Sequence, residues 1–328
     1  MGNNARILWV DFLKGIAILW LIIYHFYFFS WLRSPVPVFF FLSGLFFSEV
    51  KPFGAFVIKK AKALLIPLLF FFVLGVATYA LNSLVQGESY SFPALWRFAT
   101  LIPADAKVTN PLGVGAIWFL ASLFEVYLIY YLLNLISNNM WWLLIASVLL
   151  FFVSSVTMQI YGNGSLFYLF YSCGFVIYFV VADLLKNKML YENIPLWILF
   201  LSVVAYSVRF ISYTLTDSIG GGILLRINGP VSMFGLIFIL VWFCKHISSI
   251  SFLSNSRSFN FMLYEGRNSL TILGTHMLIM GVAGFVLERF MSVNVFYYLV
   301  LFIIVLSSCN ICILVFNRYV PFWVNHKC

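Results

Sequence analysis

Residues 7–29 read ILWVDFLKGIAILWLIIYHFYFF. A run of this length crosses a hydrocarbon core of about 30 Å as one helix. It carries Asp11, Lys14 and His25 and ends in aromatic residues with no small-residue cleavage site. It therefore reads as a permanent first helix, not a removable signal peptide. Ten residues separate Lys14 from His25. That spacing is close to three full turns, so the two project from one helix face about 16 Å apart along the axis.

The rest of the chain repeats the apolar character of this stretch. Of its 328 residues 63% are hydrophobic and only 9% charged, and the mean hydropathy is +1.03. No soluble globular domain hides that much apolar surface from water, so the solvent is lipid. The predicted fold is all-α: a polytopic integral membrane protein with about ten spans, near 7–29, 34–48, 56–82, 114–136, 140–160, 165–185, 194–216, 227–245, 269–288 and 295–316. No polar interval is long enough for a separate soluble domain, so residues 1–328 are expected to form a single transmembrane domain. The longest polar interval, about 82–113, is a candidate lid or acceptor-binding loop.

With an even number of spans both termini share one side. Placing them in the cytoplasm puts twelve Lys and Arg residues in inner loops against five in outer ones, and the cluster Lys51, Lys59, Lys60 and Lys62 dominates that bias. The net charge of +9 is of the kind such loops produce and does not by itself call for a nucleic-acid partner. Five cysteines make no disulfide framework, and the Cys309-x-x-Cys312 pair lies in an apolar run that offers a metal or redox site little polar support. No metal cluster is expected.

Ionisable groups inside spans are costly, and each is a functional hypothesis. The inventory is Asp11, Lys14, His25, Glu125, Asp183, Arg209 and His276. Asp11 and Lys14 are three residues apart and can pair on one face; an orienting ion pair or a snorkelling lysine is the structural alternative. His25 suits a base, and equally a histidine satisfied by a neighbouring hydroxyl. His276 follows Gly266, Arg267, Asn268 and Ser269, where Asn268 or Ser269 can cap a helix. Ser43 and Gly44 in the short second span allow close approach of another backbone. Lys59, Lys60 and Lys62 serve either as a topogenic signal or as ligands for the phosphates of a carrier such as coenzyme A.

Taken in order, these residues resemble the membrane acyltransferase 3 family. Asp11-Phe-Leu-Lys14-Gly15, with His25 one Lys/Arg-x10-His spacing on, resembles the family's first-helix signature. Phe39 to Gly44 resembles its FFF-x-SG segment, Lys59 to Pro67 its basic stretch ending in proline, and Trp118-Phe119-Leu120 its WFL motif. Gly266-Arg267-Asn268-Ser269-Leu270, followed by His276, resembles its late helix-start motif and second histidine.

The resemblance implies a ten-helix enzyme of a bacterial inner membrane, an O-acyltransferase. It would move an acyl group, usually acetyl, from cytoplasmic acyl-CoA to a hydroxyl of a surface polysaccharide such as O-antigen (lipopolysaccharide) or exopolysaccharide, or of a lipid-linked glycan. Acetyl-CoA would be the donor substrate and no cofactor would be bound. His25 would be base or transient acyl acceptor, Lys14 would bind or polarise the donor, and Asp11 would accompany them. Lysine stands where many members have arginine, which removes bidentate geometry. The chain also ends soon after the tenth span, without the extra hydrolase-like domain of some members, so it is expected to act alone or with a separate partner. The competing reading is a glycan transporter or flippase, since intramembrane charges also mark transport paths; the absence of an inverted repeat argues against it.

Overall fold

The computed structural model describes residues 7–26, 33–48, 52–86, 115–161, 169–191, 193–215 and 222–324. The expected acceptor loop lies largely outside these residues. The protein is helical, and no strand occurs among the described residues. In chain order the helices are α1 (Leu8–Tyr24), α2 (Val36–Leu45), α3 (Phe53–Gln86), α4 (Trp118–Ile136), α5 (Met140–Tyr161), α6 (Leu169–Cys173) and α7 (Val176–Tyr191). They continue with α8 (Leu196–Leu215), α9 (Gly222–Ser249), α10 (Ser251–Ser254), α11 (Arg257–Arg267), α12 (Ser269–Leu287), α13 (Val295–Tyr319) and α14 (Pro321–Val324).

Seven helical segments are long and apolar enough to cross a membrane, and they correspond to seven of the ten expected spans. The other three are shorter where described: α1 has 17 residues, α2 has 10, and the part of α8 whose side chains are described covers Leu196–Ser207. The segment Leu169–Met189, which overlaps the sixth expected span (165–185), is two helices. At their junction Gly174 N donates to Tyr171 O (3.1 Å) and Phe175 N donates to Ser172 O (2.9 Å), a tighter turn than the α-helix makes. Helix α11 falls in an interval that apolar runs alone leave as a loop. It is amphipathic, burying Phe259, Leu263, Glu265 and Gly266 while Arg257 and Arg267 are exposed.

The chain divides into two units, and the division passes through α1 after Ala17. The first unit holds the start of α1, α2, nearly all of α7, and α8 to α11. Its helices meet at glycines. Gly15 touches the backbone of Met262, and Gly266 touches the carbonyl of Asp11 and the amide of Gly15, so α1 and α11 cross backbone to backbone. Phe12 stacks on Phe259 beside this crossing (4.5 Å, 19°). The close approach expected at Ser43 and Gly44 occurs at Gly44, which rests on the carbonyl of Phe179 and on Ala182 of α7. Gly235 of α9 likewise meets Ser202 and Tyr206 of α8.

The second unit holds the end of α1, α3 to α6 and α12 to α14. Phe71 of α3 and Ile117 are fully buried there, and Gly274 of α12 makes room for the Phe71 ring. Phe70 packs edge-on against Phe316 of α13 (5.2 Å). Phe26, just past α1, lies against Tyr298 (5.5 Å) and edge-on to Phe302 (6.4 Å) of α13.

The crossing of α1 and α11 leaves no space for a methyl group. Gly266→Ala is expected to lower stability by about 2 kcal/mol or more, because neither facing group is a flexible side chain. Gly281→Ala meets nothing within 4 Å and is expected to stay within about 0.5 kcal/mol of the parent. Thermal unfolding of the two variants in detergent distinguishes them, and equal midpoints would refute the crossing.

Candidate functional site

Helix α1 closes with tight hydrogen bonds from His25 N to Ile22 O (3.2 Å) and from Phe26 N to Ile23 O (3.0 Å). At this end the half-buried His25 ring turns back along the helix, and Nδ1 lies 2.7 Å from Leu21 O. A carbonyl only accepts, so Nδ1 carries the proton and donates it. In the neutral ring Nε2 then keeps its lone pair, the form a general base requires.

His276 repeats the arrangement on α12. Its Nδ1 donates to Ile272 O (2.8 Å), the ring is fully buried, and Nε2 has no hydrogen-bond partner among the described residues. The two imidazoles meet with ring centroids 5.2 Å apart and planes tilted by 56°. The Tyr24 and His25 rings meet in an edge arrangement (5.6 Å, 77°). A buried Nε2 that bore a proton would leave a donor unsatisfied, so His276 is held neutral by its surroundings. The site therefore pairs one half-exposed base with a second lone pair behind it.

Helix α12 is positioned by polar contacts at its start. Asn268 stands at the N-cap position, yet its side chain does not cap the helix; its Oδ1 accepts from Asn317 Nδ2 of α13 (3.2 Å). Immediately before the histidine, Thr275 Oγ1 donates to Thr271 O (2.8 Å) and touches Cys309 Sγ (3.6 Å). Cys309 is fully buried, in keeping with a packing role.

Other sequence candidates fall into separate clusters. In the first unit Arg267 Nε donates to Asp11 Oδ2 (3.1 Å), which gives the first-helix carboxylate a partner from α11. Lys14 is half-buried on α1 and Ser43 half-buried on α2. In the second unit Lys59 and Lys62 are exposed on α3, whereas Lys60 is buried with Nζ 3.8 Å from the centre of the Tyr127 ring. Trp118 and Glu125 lie on α4: Trp118 packs against Tyr171 and Phe175, and Glu125 accepts a 2.5 Å hydrogen bond from Ser172 Oγ. Sequence reasoning did not find Ser172 and Ser122. The available signal was that Trp118, Ser122 and Glu125 are spaced by four and three residues on one helix face.

A family model described as an acyltransferase domain, that of acyltransferase 3, matches residues 7–314. The chain belongs to the acyltransferase 3 family. The match begins one residue before α1 and runs into α13, so both histidines, the basic stretch and the Trp118 face lie inside it. No curated protein and no solved structure matches the chain. The family, together with several apolar helices of membrane-crossing length, makes this acyltransferase 3 protein a membrane protein of the acyl-transfer class.

The tautomers are directly observable. With histidine nitrogens labelled, and His276 assigned by its absence from the His276→Gln spectrum, its Nε2 is expected to resonate as an unprotonated nitrogen and its Nδ1 as a protonated one. The opposite assignment would contradict the bond to Ile272 O.

Proposed function

We propose that this acyltransferase 3 protein transfers an acyl group, acetyl in the first instance, from cytoplasmic acyl-CoA to a hydroxyl of a cell-surface glycan. The acceptor is a surface polysaccharide such as O-antigen or exopolysaccharide, or its lipid-linked precursor. In this account the chain crosses the cytoplasmic membrane ten times with its termini inside, as the Lys and Arg distribution favours.

The observation that carries the reading is the His25 ring, whose Nδ1–H is committed to Leu21 O while Nε2 stays basic and His276 stands behind it. As the acceptor hydroxyl attacks the thioester carbonyl, His25 Nε2 takes its proton. Collapse of the tetrahedral adduct expels the thiolate, and the imidazolium returns the proton to sulfur. Lys14 polarises or orients the donor. Lys59 and Lys62, exposed on α3, are available to the phosphates of CoA, and Lys60 over Tyr127 adds positive charge beside them. Asp11 and Arg267 fix α1 to α11 and so keep the start of the catalytic helix in place.

A positioned general base contributes about 100-fold or more to rate. In proteoliposomes supplied with acetyl-CoA and the host's own surface glycan, His25→Ala is expected to lose at least that factor in glycan acetylation while folding normally. Undiminished acetylation by His25→Ala would remove His25 from the chemistry. Glycan export without acyl-CoA consumption would replace the reading with that of a transporter.

A further inference from the structure

Trp118, Ser122 and Glu125 share one face of α4 and meet Tyr171, Ser172 and Phe175 where the sixth span breaks. Gly174 stands at the break, and a Cβ there would lie 2.9 Å from Ser154 Oγ of α5. Ser172 Oγ donates to Glu125 Oε2 at 2.5 Å, and the Ser172 and Ser122 hydroxyls are 2.7 Å apart. Both serines are fully buried, whereas Glu125, Trp118, Tyr171 and Phe175 are half-exposed. Among the described residues Ser172 is the one hydrogen-bond partner of the Glu125 carboxyl.

Glu125 stands about 10 Å along α4 from Trp118, well inside a membrane-crossing helix. A half-exposed carboxyl at that depth does not face hydrocarbon; such groups line a bundle interior or a water-filled cavity. Broken spans in membrane proteins commonly form substrate sites, because irregular backbone is tolerated there only where it lines a cavity.

We propose that this face is the acceptor subsite, and that it binds a polyhydroxylated ring, the chemistry of a sugar. The assignment rests on the acyl-transfer reading given above. A carboxylate offers about four acceptor positions and Ser172 fills one, so the others take ring hydroxyls. Trp118, Tyr171 and Phe175 form an aromatic wall suited to the apolar face of a sugar ring. Two other uses of the cluster fit less well. One carboxylate and two hydroxyls fall short of the roughly six oxygens a hard cation takes. Ser172 is inaccessible, with its proton engaged, and so makes a poor acyl acceptor. All of these residues belong to the second unit.

The test uses the full chain in detergent and the oligosaccharide released from the host's own surface glycan. Calorimetric binding without donor and the KM for that oligosaccharide with acetyl-CoA are measured for the parent, Glu125→Gln and Trp118→Phe. Loss of hydrogen bonds to a charged acceptor corresponds to about 10- to 100-fold weaker binding. Glu125→Gln is expected to weaken oligosaccharide binding and raise its KM by that factor, with the KM for acetyl-CoA and the unfolding midpoint unchanged. Trp118→Phe, which keeps an aromatic face, is expected to show a smaller effect. Unchanged oligosaccharide binding in Glu125→Gln overturns the proposal, as does an equal loss toward donor and acceptor. If the parent binds the oligosaccharide and Glu125→Gln does not, but neither consumes acetyl-CoA, the subsite stands and the acyl-transfer reading fails.

Discussion

In this membrane protein the bond from an imidazole Nδ1–H to the carbonyl one turn earlier is the interaction on which the site depends. His25 makes it to Leu21 and His276 to Ile272. Ile272 O lies inside α12, so the His276 ring is an added donor there, whereas Leu21 O is among the last four carbonyls of α1, which lack the regular intrahelical partner, and the His25 ring supplies a donor to it. The bond settles three properties together: the tautomer, the direction of the ring, and the nitrogen left to act as base. Without it an apolar span gives an imidazole no reason to hold one orientation.

Within each unit the helices pack at close quarters. Lipid supplies no hydrophobic force to bring helices together, so they associate through small residues and shared hydrogen bonds. Gly15, Gly44, Gly235 and Gly266 provide contacts of the first kind in one unit. In the other, Gly274 admits the Phe71 ring one turn from Leu270, and Asn268 joins Asn317. The Asp11–Arg267 pair is partly exposed and is worth less to stability than its charge suggests; its use lies in holding α1 on α11.

Much of this was legible in the amino-acid order. His25, His276 and Glu125 stand out because an ionisable group in an apolar run is costly, and the first-helix spacing with the later motifs pointed to the family. The meeting of His25 with His276 was not legible, since it joins opposite ends of the chain and periodicity acts only within a helix. Ser172 was hidden for another reason: serine is common in membrane helices and carries no signal until a carboxylate is placed beside it. The expectation that Asn268 or Ser269 would cap α12 failed for Asn268 because a partner on α13 competes for its side chain. Helix α11 escaped because half its surface is polar, and a search for apolar runs passes over such a segment. Ten spans are expected where seven described segments meet the full length, because α2 and the described parts of α1 and α8 are shorter than a full span.

The central claim is that His25 delivers an acyl group to a surface glycan. Its most direct test is the ester content of that glycan, measured by NMR on material from cells with the intact gene, with the gene deleted, and with the deletion complemented by His25→Ala. The account predicts ester signals in the first sample alone. Identical ester content in all three would contradict it.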